Sequence, residues 1–191
     1  MPGPLWIPSA DRIARSNLTR FMREVSSRWQ TAIDDYASLY RFSIERPGEF
    51  WDSIWSFADV IGDRGERVVD LLDRLPGARF FPDARLNFTE NLLRRQDEGP
   101  AIVFRDEAGR CRTLSWRALH GQVAAFAAAL AREGVTPGDR VAGYLPNIPE
   151  AIVAALGTAA VGGVWSSCSP DFGVQGVLDR FGQIEPVVPE E

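Results

Sequence analysis

The sequence predicts an α/β fold in two parts: an aromatic-rich helical cap over residues 1–97 and the first, incomplete parallel βαβ portion of a larger domain over residues 98–191. Three observations carry this. Apolar and aromatic residues recur at helical spacing as far as Trp55. Beyond residue 100, short strand-like runs alternate with long helical patterns. Between the two regimes lies the polar stretch Gln96-Asp97-Glu98-Gly99, a plausible seam.

Element by element, Ser9 stands where an N-cap would open a short helix, and Leu18, Phe21, Met22, Val25 and Trp29 continue at helical spacing. Tyr36, Leu39, Tyr40 and Ile44 mark another helix. Pro47 suits a first helical turn, and Phe50, Trp51, Ile54 and Trp55 follow it as one apolar stripe. These aromatics are read as packing this module onto a neighbour, not as a base-stacking site. Arg67–Leu72 offers a short strand, Phe81-Pro-Asp-Ala-Arg85 a turn, and Asn87–Arg95 a short helix.

The second part is more regular. Ala101–Arg105 and Cys111–Leu114 flank Asp106-Glu-Ala-Gly109 as a β-hairpin. Ser115 caps a helix that runs to Glu133, and Gly134 stops it. Arg140–Leu145 is a strand, Pro149–Val161 a helix so apolar that burial is expected, Val164–Cys168 a second strand, and Val174–Gln183 a third helix. This alternation implies parallel strands with right-handed crossovers. After Pro186 only Val-Val-Pro-Glu-Glu follows where a third strand is expected, so the sheet reads as unfinished and the chain as part of a larger fold.

Composition excludes several functions. With 21 basic against 26 acidic residues and a net charge of −5, no basic stripe is expected for nucleic acid. All the basic residues are arginine. A Walker-type phosphate loop and Schiff-base chemistry both need lysine, so neither can operate within these residues. The two cysteines, Cys111 and Cys168, lack metal or disulfide spacing and suit reduced thiols in a cytoplasmic protein. The start, Met1–Trp6, lacks the charged and apolar regions of a leader, and no apolar run is long enough to span a bilayer.

In an open parallel sheet, ligands bind beyond the carboxyl ends of the strands. Two loops qualify, Pro146-Asn147-Ile148-Pro149 and Ser169-Pro170-Asp171-Phe172-Gly173. Asp171 is expected to cap the helix that begins near Val174, a role compatible with ligand contact. Its carboxylate argues against a phosphate there and tolerates an amide or carbonyl. His120 is read as exposed or capping, Cys168 as core or pocket lining, and Ser166 and Ser167 lack a recognisable base. No catalytic residue and no metal ligand is assigned.

Leu5-Trp-Ile-Pro-Ser9, Phe50-Trp51 and Ala84-Arg-Leu-Asn-Phe-Thr-Glu-Asn-Leu-Leu93 resemble the N-terminal cap of acetyl-CoA-synthetase-like enzymes. Thr113-Leu-Ser-Trp116, Gly134-Val-Thr-Pro-Gly-Asp-Arg140 and Leu145-Pro-Asn-Ile-Pro-Glu-Ala151 resemble the first βαβ segment of AMP-forming acyl-CoA synthetases. The stretch Val164–Pro186 is similar to the acetoacetyl-CoA synthetase branch, with Pro170-Asp171 where acetate and propionate enzymes carry Gly-Gly. The resemblance implies an adenylate-forming synthetase domain that uses ATP, Mg²⁺ and CoA to convert acetoacetate to acetoacetyl-CoA through acetoacetyl-AMP. It places Ser169, Pro170 and Asp171 beside the pantetheine arm of CoA. The lysines of the family's ATP loop and small C-terminal domain have no counterpart here, so these residues alone are expected to be inactive. Two further readings stay open: another short-chain acyl-CoA ligase, or a non-catalytic module that binds a complementary chain completing the sheet. A truncated or frameshifted gene product also suits the tail Val187-Val-Pro-Glu-Glu191.

Overall fold

Serine hydroxyls start the first two helices. Ser9 accepts from the amide of Arg12 to open α1 (Ala10–Ala14), and Ser16 accepts from that of Thr19 to open α2 (Asn17–Trp29). The second cap breaks what the spacing alone presents as a continuing helix. The computed structural model describes residues 5–187, so residues 1–4, read above for a leader, and residues 188–191 of the tail lie outside the described residues. It divides into two compact units, Met1–Leu86 and Asn87–Glu191.

In the first unit, α3 (Tyr36–Glu45) opens with a capping box between Asp35 and Ser38, and α4 (Pro47–Phe57) opens on Pro47. The core is Phe21, Val25, Ile33, Leu39 and Phe42. Phe21 meets the rings of Phe50 and Phe57 edge to face at 5.8 and 5.1 Å. The aromatics expected to face a neighbour pack largely against one another, with Trp51 on Phe80 and Trp55 on Phe81. A polar hub sits beside them. Asp52 pairs with Arg28 and, at 2.7 Å, with Arg64, while the Trp29 indole N–H donates to Ser53 at 2.8 Å.

One expectation is met and one corrected in this unit: the helix marked by Tyr36, Leu39, Tyr40 and Ile44 forms as α3. In α3 the buried residues are Leu39 and Phe42, whereas Tyr36, Tyr40 and Ile44 are exposed. Spacing of four residues places those three on one face, and the core lies on the other. The strand expected over Arg67–Leu72 shrinks to β1 (Val69–Asp70), paired antiparallel with β2 (Arg79–Phe80). Leu71 adopts φ +54, which ends the extended backbone.

The second unit opens with α5 (Phe88–Leu92), followed by the antiparallel hairpin β3 (Pro100–Arg105) and β4 (Cys111–Ser115). Ser115 accepts from the Ala118 amide to cap α6 (Trp116–Arg132), and Gly134 takes φ +81 just beyond it. Then come β5 (Arg140–Tyr144), α7 (Pro149–Ala160), β6 (Val164–Cys168) and, after a 3-10 turn at Pro170–Phe172, α8 (Gly173–Ile184). The strands β5 and β6 are parallel, as the alternating pattern predicts.

Leu93, Leu119, Val123, Val153 and Leu156 form the second core. Gly157 allows α7 to close on α6, because a Cβ there would stand 2.7 Å from the Phe126 ring. From α5, Thr89 donates to the Leu156 carbonyl at 2.7 Å, and the Asn87 amide donates to the carbonyls of Ala159 and Ala160 at 3.2 and 3.0 Å. Side chains thus tie α5 to carbonyls in the last turns of α7.

Candidate functional site

The parallel register pairs Arg140 with Val164 and Tyr144 with Cys168, so β5 and β6 end level with each other. Both candidate loops therefore leave the same rim, as a shared carboxyl edge requires. The first loop is short. Pro146 O accepts from Ile148 N at 2.9 Å, and Pro149 begins α7 at once.

The second loop holds all three predicted residues together. Ser169 caps the 3-10 turn, its hydroxyl donating to Asp171 Oδ2 at 2.9 Å and accepting from the Asp171 amide at 3.5 Å. Pro170 supplies the first position of the turn, where its fixed φ fits. Its carbonyl accepts from the hydroxyl of Tyr144 at 2.9 Å, a bond between the end of β5 and the loop after β6. Phe172 lies under the Arg180 guanidinium, 3.9 Å from ring centroid to Cζ, and Gly173 turns into α8 at φ +62.

Asp171 does not cap α8, contrary to the expectation above. The helix starts one residue earlier, at Gly173, and its N-cap position is Phe172, which makes no side-chain cap bond. The intervening 3-10 turn directs the Asp171 carboxylate back to Ser169 instead. Cys168 is 3% exposed and belongs to the core of the unit. His120 is half-buried on α6, its Nε2 3.4 Å from the Gln96 amide, and takes no part in the loop.

Tyr144 is the residue that sequence reasoning missed. Its sequence position marks only a strand, although a tyrosine at the last position of a strand puts a hydroxyl at the carboxyl edge of the sheet. What the rim offers is backbone polar groups, two hydroxyls and one carboxylate that is already engaged. The nearest basic group is the Arg180 guanidinium, which covers Phe172. The described residues contain no group of three or more His, Cys, Asp or Glu side chains that could hold a metal ion. Among them, no helix is long and apolar enough to cross a membrane.

A paired cluster lies on the hairpin side of the same unit. Arg112 on β4 meets Glu150 on α7 with two hydrogen bonds of 2.7 Å, beside a cavity of about 430 Å³ lined by Phe104, Cys111 and Ile148 among others. The guanidinium hydrogen bonds hold the Glu150 carboxyl below its ordinary pKa.

A helical aromatic unit precedes a βαβ unit in this chain. The family model for AMP-binding enzymes matches residues 88–188, more than half of the chain, and the chain belongs to that family. The model for the acetyl-coenzyme A synthetase N-terminus matches residues 36–92.

Within the family, the chain is similar to the acetoacetyl-coenzyme A synthetase of Rhizobium meliloti (strain 1021), 46% identical over 183 residues, covering 96% of this chain and 28% of the relative. The acetoacetyl-CoA synthetase of Macaca fascicularis is 38% identical over 95% of this chain and 27% of its own length. A malonamoyl-CoA synthetase of Penicillium aethiopicum is 35% identical over 95% of this chain and 26% of its own. Among solved structures, acetoacetyl-CoA synthetase from Streptomyces lividans superposes with a TM-score of 0.88 at 47% identity, covering 97% of this chain and 29% of that one. The resemblance to the acetoacetyl-CoA synthetase branch and the fold class read from the sequence are both borne out. The chain spans less than a third of the length of each of these relatives.

Proposed function

We propose that this chain forms the N-terminal portion of an acetoacetate–CoA ligase. In that reaction an acetoacetate oxygen attacks the α-phosphate of ATP, giving acetoacetyl-AMP and releasing pyrophosphate. The CoA sulfur then attacks the acyl carbon, the C–O bond to AMP breaks, and acetoacetyl-CoA and AMP leave. The observation that carries the reading is the agreement in backbone and sequence with the Streptomyces lividans acetoacetyl-CoA synthetase over nearly the whole chain.

Within that reaction the part assigned to these residues is binding. Ser169, Pro170 and Asp171, braced by Tyr144, would line the pantetheine side of CoA, where amides rather than phosphates need partners. The absence of lysine leaves the triphosphate without the cation the family uses, and no cluster suited to Mg²⁺ occurs among the described residues. Both tasks are therefore assigned outside residues 1–191, and these residues alone are expected not to form an acyl-adenylate. A cytoplasmic setting follows from the same reading, since the reduced thiols and the nucleotide substrates both suit it.

A second reading, a ligase for another short acyl group, is favoured by one observation: the malonamoyl-CoA synthetase matches almost as much of the chain, at 35% identity. Chimeras separate the two. This chain would replace the matching stretch of the Rhizobium meliloti acetoacetyl-CoA synthetase and, separately, of the malonamoyl-CoA synthetase. The first chimera is expected to form acetoacetyl-CoA at a rate near its parent's and the second to be impaired. A folded but inactive first chimera would overturn the proposal, and equal function in both hosts would leave only the general class.

A further inference from the structure

We infer, resting on the ligase reading above, that Tyr144 is a positioning residue for the CoA-using half of the reaction. Its hydroxyl fixes the turn Ser169–Asp171, and acyl-adenylate formation does not depend on it. Tyr144 is the last residue of β5 and stands level with Cys168 in the parallel register. A phenylalanine would fill nearly the same volume there. What the hydroxyl adds is the 2.9 Å bond to the Pro170 carbonyl, which joins residues 26 positions apart in the chain.

That bond falls where it sets the facing of the turn. Pro170 has no N–H, so its carbonyl is the one hydrogen-bonding group of its main chain. A trans peptide unit is planar, and holding this carbonyl also fixes the Asp171 N–H on its opposite side. The Asp171 amide lies 3.5 Å from Ser169 Oγ, the Ser169 hydroxyl donates to Asp171 Oδ2 at 2.9 Å, and Phe172 N donates to Ser169 O at 3.2 Å. These three bonds are internal to the turn and would rotate with it as one body. Before the turn stands buried Cys168, a fixed point, and after it Gly173 at φ +62, a conformation open to glycine and a ready pivot. Tyr144 is the brace that ties this body to β5.

The chemistry of the turn confines the effect to one half of the reaction. Ser169, Pro170 and Asp171 offer hydroxyl, carbonyl and carboxylate oxygens, which suit the amide N–H groups of a pantetheine arm. Attack on the α-phosphate calls for cationic groups around the triphosphate, and none of the three residues is one. A displaced turn therefore weakens CoA binding and leaves adenylation as it was.

Tyr144→Phe in the Rhizobium meliloti chimera tests this, with the two half-reactions read separately. Acetoacetate-dependent ATP–pyrophosphate exchange reports adenylate formation, and the CoA dependence of acetoacetyl-CoA formation reports the second half. The KM for CoA is expected to rise about tenfold, the worth of roughly one net hydrogen bond, with exchange and kcat near the parent's. Ser169→Ala is made alone and together with Tyr144→Phe. If Tyr144 acts through the turn, the double variant binds CoA little worse than the weaker single one. An unchanged KM, an equal loss in both half-reactions, or fully additive losses would each overturn the inference while the ligase reading stands. A parent chimera that forms neither adenylate nor acetoacetyl-CoA would overturn that reading, and this inference with it.

Discussion

In residues 5–86 the core is a set of phenylalanine and tryptophan rings meeting edge to face, whereas in residues 87–187 two helices close over a glycine and are tied down by side-chain hydrogen bonds. The first arrangement depends on volume, the second on close approach and satisfied carbonyls. They should therefore fail under different substitutions. Where large rings carry the packing, truncation is the damaging change. Where a backbone contact carries it, addition is.

The largest expected effect comes from Phe21→Ala. It removes a 5%-exposed ring that touches both Phe50 and Phe57, and should cost about 3–5 kcal/mol. Urea unfolding read by hydrogen exchange should show lost protection across α2–α4 and little change in α6 and α7. Equal loss in both units would abolish the contrast. Next is Gly157→Val, which forces a side chain against Phe126 and should cost about 1–3 kcal/mol, read as lost protection in α6 and α7. A neutral result there would mean that the two helices are not held by close approach.

Thr89→Val deletes one buried hydrogen bond to Leu156 at nearly constant volume, and about 1 kcal/mol of unfolding free energy should go with it. The smallest effect is expected from Arg112→Gln, which breaks an exposed pair that solvent screens. Its pH dependence is the sharper readout. Because Arg112 lowers the Glu150 pKa in the folded state, the pair's contribution is full above the ordinary carboxylate pKa and fades as pH falls through the lowered value. The variant should match the parent in stability at the acid end and fall below it at neutral pH. A constant gap across that range would assign the effect to packing.

The same contrast explains what was legible in the sequence. In the second unit, each helix and strand carries one periodicity and one punctuation mark, such as Ser115 before α6 or Pro149 at the start of α7. Those signals are local, so they survive folding. In the first unit Tyr36, Tyr40 and Ile44 keep helical spacing yet stand outside the core, because aromatic density all round a helix does not say which face is inward. At the rim, Ser169, Pro170 and Asp171 were placed together by chain adjacency alone. Tyr144 was invisible because its hydrogen bond to Pro170 joins residues on separate strands, and only the parallel register brings them level. The misassigned cap at Asp171 has a similar cause: a single extra turn shifts the helix start, and periodicity does not resolve one residue.

The bonds from Asn87 to the end of α7 also set an order of events during synthesis. They join residues 72 and 73 positions apart, and Thr89 reaches across 67 to Leu156. At about 5–20 residues per second, α5 waits roughly 4–14 s for its partners to be made. Throughout that interval Thr89 lacks its acceptor on Leu156, and Leu93 has only the earlier-made part of its core, Leu119 and Val123, to meet. The first unit has all of its core residues in hand before α7 has been translated. For the second, slow codons upstream of Pro149 would lengthen the exposure of an apolar segment, and a chaperone that shields α5 would act in that window.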